Sequence, residues 1–174
     1  MKDCGTVVWI TGLSGAGKTT TSQLLVEKLK LDGRKVISLD GDQLGKVFKR
    51  KDYSKESRII LGLQYSDLCK LLSSQGFIVV ISCIGLIKEI EEYNRLNIFR
   101  YIDVFLDTPI KVLEERDTKG LYSRFRKGLI KNVYGMDIDY DKPESPCLDI
   151  KFSETQSAKQ VANKIYDYLR KLDC

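Results

Sequence analysis

The sequence predicts an α/β fold in which a parallel five-stranded sheet is flanked by helices, and three observations carry that prediction. Short β-branched, apolar runs recur along the chain and alternate with longer segments of helical periodicity. The first run, T-V-V-W-I at Thr6 to Ile10, leads into G-L-S-G-A-G-K-T-T, Gly12 to Thr20, which opens a helix. Strands that alternate with helices join through right-handed crossovers, so the sheet is parallel and its ligand-binding loops gather at one edge.

The glycine-rich stretch has the spacing G-x-x-x-x-G-K-T between a strand and a helix, the arrangement of a phosphate cradle. Gly12, Gly15 and Gly17 let the backbone turn and aim N–H groups at phosphate oxygens. Lys18 can reach the β- and γ-phosphates, and the Thr19 hydroxyl can ligate Mg²⁺. Ser14, Ala16 and Thr20 complete the residues expected to touch the nucleotide. The helix from Lys18, with Leu24, Leu25 and Leu29 beginning its apolar face, adds the positive end of its dipole. A glycine turn that merely links strand to helix would not need this lysine and threonine at these positions.

Asp32-Gly33 stops that helix, and K-V-I-S-L at Lys35 to Leu39 is the second predicted strand. Asp40-Gly41-Asp42 follows at its carboxyl end, where open α/β sheets collect their ligands. By itself this is an ordinary Asp-Gly turn. Beside a phosphate loop, Asp40 and Asp42 can hold Mg²⁺ or accept a proton from an attacking hydroxyl, the two tasks that phosphoryl transfer sets a carboxylate. A long helix from Ser54 carries Leu61, Tyr65, Leu68 and Leu72 as one core-facing stripe and ends at Gly76. Phe77 to Ile81 is the third strand, closed by Ser82, and a helix over Lys88 to Asn97 leads to the fourth, Tyr101 to Leu106. Thr108 is expected to cap the next helix, with Pro109 as its first residue.

Six basic residues against one acid, Asp117, lie between Arg116 and Lys131: Arg116, Lys119, Arg124, Arg126, Lys127 and Lys131. A solvated helix face is the plain reading. In a phosphate-binding chain the stretch also fits a mobile lid over a triphosphate. Asp137, Asp139 and Asp141 have the spacing of a calcium loop, but Lys142 and Leu148 stand where such a loop needs glycine and glutamate. Leu148 to Phe152 is the last predicted strand, and Val161, Ile165, Tyr168, Leu169 and Leu172 stripe a closing helix.

With 174 residues the chain is expected to form one domain, residues 1–174, and no apolar run approaches the ~18 residues of a membrane span. The start, M-K-D-C-G-T, runs straight into the first strand, so no signal peptide is expected and the setting is cytoplasmic. Five scattered cysteines, Cys4, Cys69, Cys83, Cys147 and Cys174, are read as reduced thiols. Histidine is absent, which excludes Ser-His and Cys-His nucleophilic schemes and leaves a carboxylate, lysine or tyrosine as base. A net charge of +5 suits a small anionic ligand and falls short of a nucleic-acid-binding signature.

The class is a P-loop NTPase fold, and its motifs point further. G-L-S-G-A-G-K-T-T, L-D-G-D (Leu39 to Asp42), D-T-P (Asp107 to Pro109), R-D-T-K-G-L-Y (Arg116 to Tyr122) and K-N-x-x-G-x-D (Lys131 to Asp137) together resemble the adenylylsulfate kinase family, from about Thr6 to Ile150. The R-D-x-K-G-L-Y element is the most specific piece. Members of that family transfer the γ-phosphoryl of ATP to the 3′-hydroxyl of adenylylsulfate with Mg²⁺. The resemblance implies Lys18, Asp40 and Asp42 as catalytic residues and Thr19 and Asp40 at the metal, with Asp42 the base or hydroxyl-positioning group. It puts Arg116 and Lys119 in an ATP lid of about residues 116–134. Tyr53, Arg58 and Ser82, with Lys131, Asn132 and Val133, fall beside the nucleotide acceptor, and a homodimer is expected.

The departures from the family pattern lie on the acceptor side. Gly45 and Gly85 stand where the family has arginines, Leu61 replaces an asparagine, and Val133 replaces an aromatic that stacks on adenine. This implies a relative acting on a different nucleotide, and the family contains a cytidine diphosphoramidate kinase of capsule modification. Adenylylsulfate kinase is the alternative within enzymes, and a non-catalytic nucleotide-binding module the alternative of another class. GTPase switching is disfavoured, as no N-K-x-D guanine signature occurs.

Overall fold

The computed structural model describes residues 4–172, so Cys174 lies outside the described residues. Five strands, β1 (Val7–Thr11), β2 (Val36–Asp40), β3 (Ile78–Ser82), β4 (Tyr101–Asp107) and β5 (Leu148–Lys151), pair in parallel in the order β2-β3-β1-β4-β5. Seven helices connect or close them among the described residues: α1 (Lys18–Leu31), α2 (Gly41–Val47), α3 (Lys55–Ser73), α4 (Lys88–Asn97), α5 (Ile110–Arg116), α6 (Leu121–Arg126) and α7 (Ala158–Leu172).

Both faces of the sheet are covered, which is why its strands read as unbroken apolar runs. Along β1 the side chains alternate by face. Val7 and Trp9 pack with Leu61 and Tyr65 of α3 and Ile90 of α4, and Val8 and Ile10 pack with Leu25 and Leu29 of α1 and Ile165 and Leu169 of α7. Trp9, the single tryptophan of the chain, is 1% exposed, and a Cβ on Gly85 would come within 3.0 Å of its indole nitrogen. Gly85 is half-buried, and a side chain there would press on this ring.

Only the crossover that leaves the glycine loop steps toward β2; every later one steps the other way. The loop after β1 therefore lies where the winding reverses, the place at which open α/β sheets bind ligands. In register beside it are the ends of the neighbouring strands, with Asp40 opposite Ser82 and Asp107 opposite Lys151.

Two local expectations shift. The helix expected to start at Pro109 starts at Ile110, with Pro109 in extended backbone as its cap residue. The Thr108 N–H bonds back to the Leu106 carbonyl, and the Pro109 carbonyl accepts the first helical bonds from Val112 and Leu113, so Thr108 makes no side-chain cap. The Asp40–Asp42 turn is in fact the start of α2. The Asp40 side chain caps it by accepting from the backbone N–H groups of Asp42 at 2.9 Å and Gln43 at 3.2 Å. No helix among the described residues is long and apolar enough to cross a membrane, and Cys4, Cys69, Cys83 and Cys147 are free.

Candidate active site

The loop between β1 and α1 is built by what its glycines permit. Gly12 sits so close to β4 that a Cβ there would lie 2.9 Å from the Leu106 carbonyl oxygen, and Gly17 caps α1 in the left-handed region at φ 91°. Lys18 folds back beneath this loop and donates to the Leu13 carbonyl at 2.8 Å. Removal from water there lowers its pKa to about 8, with the charge of Lys119 adding to the effect against the opposing fields of Cys83, Asp42 and Asp40. Anionic phosphates would restore its full charge. Ser14, Gly15 and Ala16 line the loop half-buried, and Thr19 and Thr20 stand exposed at the start of α1.

Asp40 is the hub of the first carboxylate cluster. One oxygen caps α2; the other accepts from the Thr19 hydroxyl and from the Ser82 hydroxyl, each at 3.2 Å. Ser82, expected beside the acceptor, is buried and directs its hydroxyl to Asp40. The two hydroxyls and this carboxylate are hard oxygen donors, the set that suits Mg²⁺ held by one or two protein groups together with phosphates and water. No group of three or more acidic, Cys or His side chains that could hold a metal converges among the described residues.

Asp42, two residues on, projects from the first turn of α2 and meets the Lys119 ammonium at 2.6 Å. Burial by itself would raise its pKa, but the hydrogen bond and charge of Lys119, helped by Arg50 and Lys18, hold it below the usual carboxylate range. Lys119 arrives from the turn between α5 and α6. That turn is fixed by Asp117, which accepts from the backbone N–H of Tyr122 at 3.0 Å and of Ser123 at 2.9 Å. Tyr122 is buried and its hydroxyl donates to the Ser14 carbonyl at 2.9 Å, which docks α6 on the glycine loop. Arg116 lies at the other end of the segment, with its guanidinium 4.9 Å from the centre of the Phe152 ring. Arg116, Phe152, Gly17, Gln156 and Val161 line a cleft of about 160 Å³ beside the loop. Its size and its flat cation and ring suit a nucleotide base.

On the opposite side of Asp42, Arg58 donates to the Tyr53 carbonyl at 2.8 Å and to the Asn132 carbonyl at 2.6 Å. Asp137 completes this brace by accepting from the N–H groups of Asn132 and Val133 at 2.8 and 2.6 Å. Lys131 and Asn132 are exposed, but Val133, expected to face the acceptor base, turns its side chain into the core at 3% exposure. The next residue, Tyr134, is buried as well, at 6% exposure, and the Arg58 guanidinium stacks on its ring at 4.1 Å. Arg50 also reaches the edge of the site, 4.8 Å from the Tyr53 ring.

The sequence pattern of the adenylylsulphate kinase family matches residues 4–151. The chain belongs to that family. Among its relatives within and around this kinase family, the cytidine diphosphoramidate kinase of Campylobacter jejuni subsp. jejuni serotype O:2 is 39% identical over 145 residues, 83% of this chain and 85% of that protein. The adenylyl-sulfate kinase of Gloeothece citriformis is 37% identical over 174 residues, 99% of this chain and 97% of its own. The Mycobacterium tuberculosis APS kinase CysC, solved in complex with AMPPNP and APS, superposes with a TM-score of 0.90 at 32% identity, covering 95% of this chain and 98% of that one. This family member is accordingly an ATP-dependent phosphotransferase of the P-loop kinase fold.

Sequence reasoning missed Phe152, Gln156, Arg50 and Tyr134. Phe152 had a signal, an aromatic at the carboxyl end of the last predicted strand, but nothing in the spacing ties it to Arg116. Tyr134 follows Val133 in a loop that packs both residues into the core, and no periodicity in the sequence marks that.

Proposed function

We propose that this kinase transfers the γ-phosphoryl group of ATP to the ribose 3′-hydroxyl of cytidine diphosphoramidate, as one P-loop domain working in the cytoplasm as a homodimer. The observation that carries the acceptor choice is the loss of side chains at Gly45 and Gly85. The guanidinium missing at Gly85 removes a charge-assisted hydrogen bond to an anionic acceptor, worth roughly 1.5–3 kcal/mol, and the one missing at Gly45 changes how the acceptor's anionic end is held. With Val133 buried, the platform for a purine is also reduced. The cytidine diphosphoramidate kinase relative supports the same choice.

The geometry supports the following roles. The N–H groups of residues 12–19 and the Lys18 ammonium take the donor's β- and γ-phosphates, and Arg116 and Phe152 take its base. Thr19 and Asp40 would hold Mg²⁺, which when bound neutralises charge building on the phosphate oxygens. Asp40 is already occupied as cap and hydroxyl acceptor, so Asp42 is the carboxylate available to orient the 3′-hydroxyl and accept its proton. Lys119 leaves Asp42 for the donor phosphates as the exposed turn between α5 and α6 closes on them, which frees the carboxylate when the donor has bound.

The deciding measurement is kcat/KM for cytidine diphosphoramidate and for adenylylsulfate under identical Mg·ATP. The expected ratio is at least ~100 in favour of the cytidine compound, corresponding to about 2.7 kcal/mol of differential transition-state binding. A preference for adenylylsulfate returns the chain to the parent activity of its family.

A further inference from the structure

We infer that Arg50 grips the 5′-phosphorus groups of the acceptor, and that residue 45 is glycine because the Arg50 side chain occupies the space of its missing one. The inference rests on reading the site as a nucleotide kinase, and it names a specificity-determining residue that the family pattern does not contain.

The chain makes a tight return after α2. The Arg50 N–H donates to the Gly45 carbonyl at 2.8 Å, and Lys49 just before it takes a positive φ of 52°. This return lays the guanidinium across the helix. A Cβ on Gly45 would collide with Nη2 and would lie 2.7 Å from Cζ and 2.8 Å from Nε. Glycine inside a helix is costly relative to alanine, and Gly45 is buried and has ordinary helical backbone, so its dihedral angles do not call for it. The cost has an explanation if the space is needed by another group, and the group that fills it is a cation.

That cation has donors to spare. Its side-chain hydrogen bond is a long one, 3.4 Å from Nη2 to the Gly41 carbonyl, and among the described residues it forms no ion pair. The carbonyl it leans on already accepts from the Tyr65 hydroxyl at 3.1 Å. Arg58, on the same exposed Tyr53 ring at 5.5 Å, differs: its Nε and one Nη2 are committed to the Tyr53 and Asn132 carbonyls. Arg58 is therefore a brace, and Arg50 is the guanidinium open to a ligand. It stands near enough to Asp42 for its field to reach that carboxylate. An acceptor whose 3′-hydroxyl lies at Asp42 can present a two-phosphorus 5′-group to Arg50, and the planar fork matches such oxygens bidentately. A lone arginine resting on a surface would need neither the vacated Cβ space nor the return of the backbone beneath it.

The test is steady-state kinetics of Arg50→Met, Gly45→Ala and the double variant with cytidine diphosphoramidate and adenylylsulfate as acceptors. Only the flexible end of Arg50 stands in the way of an alanine at 45, so that variant should fold and simply push the guanidinium aside. For whichever acceptor the wild type uses, R50M should raise KM at least tenfold while kcat and the KM for ATP stay within threefold. G45A should do the same, and adding G45A to R50M should cause no further loss, since the two substitutions remove one interaction. A KM rise below tenfold in R50M, or a G45A penalty that persists in the R50M background, overturns the inference. If the wild type prefers adenylylsulfate and R50M still loses it, only the acceptor under Proposed function falls; if it turns over neither compound, both readings fall.

Discussion

Replacing Lys119 with methionine separates two things the Lys119–Asp42 contact can do. The pair is short, 2.6 Å, yet the two side chains are 58% and 63% exposed, so water and salt screen most of its Coulomb energy. Such exposed pairs contribute about 0–1 kcal/mol to stability. In a chain of this length that is a melting-point change of at most ~2–4 °C. The catalytic effect should be far larger. In the proposed cycle Lys119 moves to the donor phosphates, and removing one preorganised charge contact to a transferring group costs roughly 10²–10³-fold in turnover. The assays are a thermal melt and initial rates of ATP consumption at saturating Mg·ATP and acceptor. The expected result is a nearly unchanged melt with turnover down at least 100-fold. Turnover within threefold of wild type, or a melting point lower by more than ~6 °C, would show that Lys119 is a structural tie and would refute the reasoning.

Lys18→Ala should fold normally and lose turnover by three orders of magnitude or more, measured in the same assay, because in the proposed cycle Lys18 contacts the transferring phosphoryl. With a free-state pKa of about 8 against an ordinary 10.5, Lys18 is partly neutral above pH 8, so ATP binding should take up a proton there and weaken as pH rises toward 10. Calorimetry at pH 8.5 in buffers of unequal protonation heat reads this directly, and zero proton uptake would contradict it. Asp42→Asn keeps the shape of the side chain and removes its basicity; ATP affinity should hold while phosphoryl transfer is lost, and the reverse pattern would make Asp42 a donor-side group.

Much of the sheet was legible because burial of both faces leaves apolar runs such as Phe77–Ile81 with no polar interruption. The phosphate loop was legible because one contiguous stretch holds all of its parts. Helix α2 was not, since seven residues carry too little periodicity to display and the Asp40 side chain supplies its cap. The offset at Pro109 has the same origin: Thr108 and Pro109 both suit a helix start, and the backbone bond from Thr108 to Leu106 decides between them. The contacts that shape the two nucleotide sides join residues far apart in sequence, Arg116 with Phe152 and Arg58 with Asn132 and Tyr134. The meaning of Gly45 was hidden for another reason: a sequence shows that a side chain is missing and not what stands in its place.

Trp9 turns the architecture into an optical instrument. The chain's single indole is sealed in the middle of the sheet, on the strand that runs into the phosphate loop, in the same core cluster as Tyr122 and Val133 of the 116–134 segment. Its emission should be that of an apolar environment and should shift when the sheet opens. Tryptophan fluorescence thus follows the opening of this core. A fluorophore placed on the exposed part of the lid would supply the complementary colour, so that folding and substrate capture could be followed separately in one cuvette.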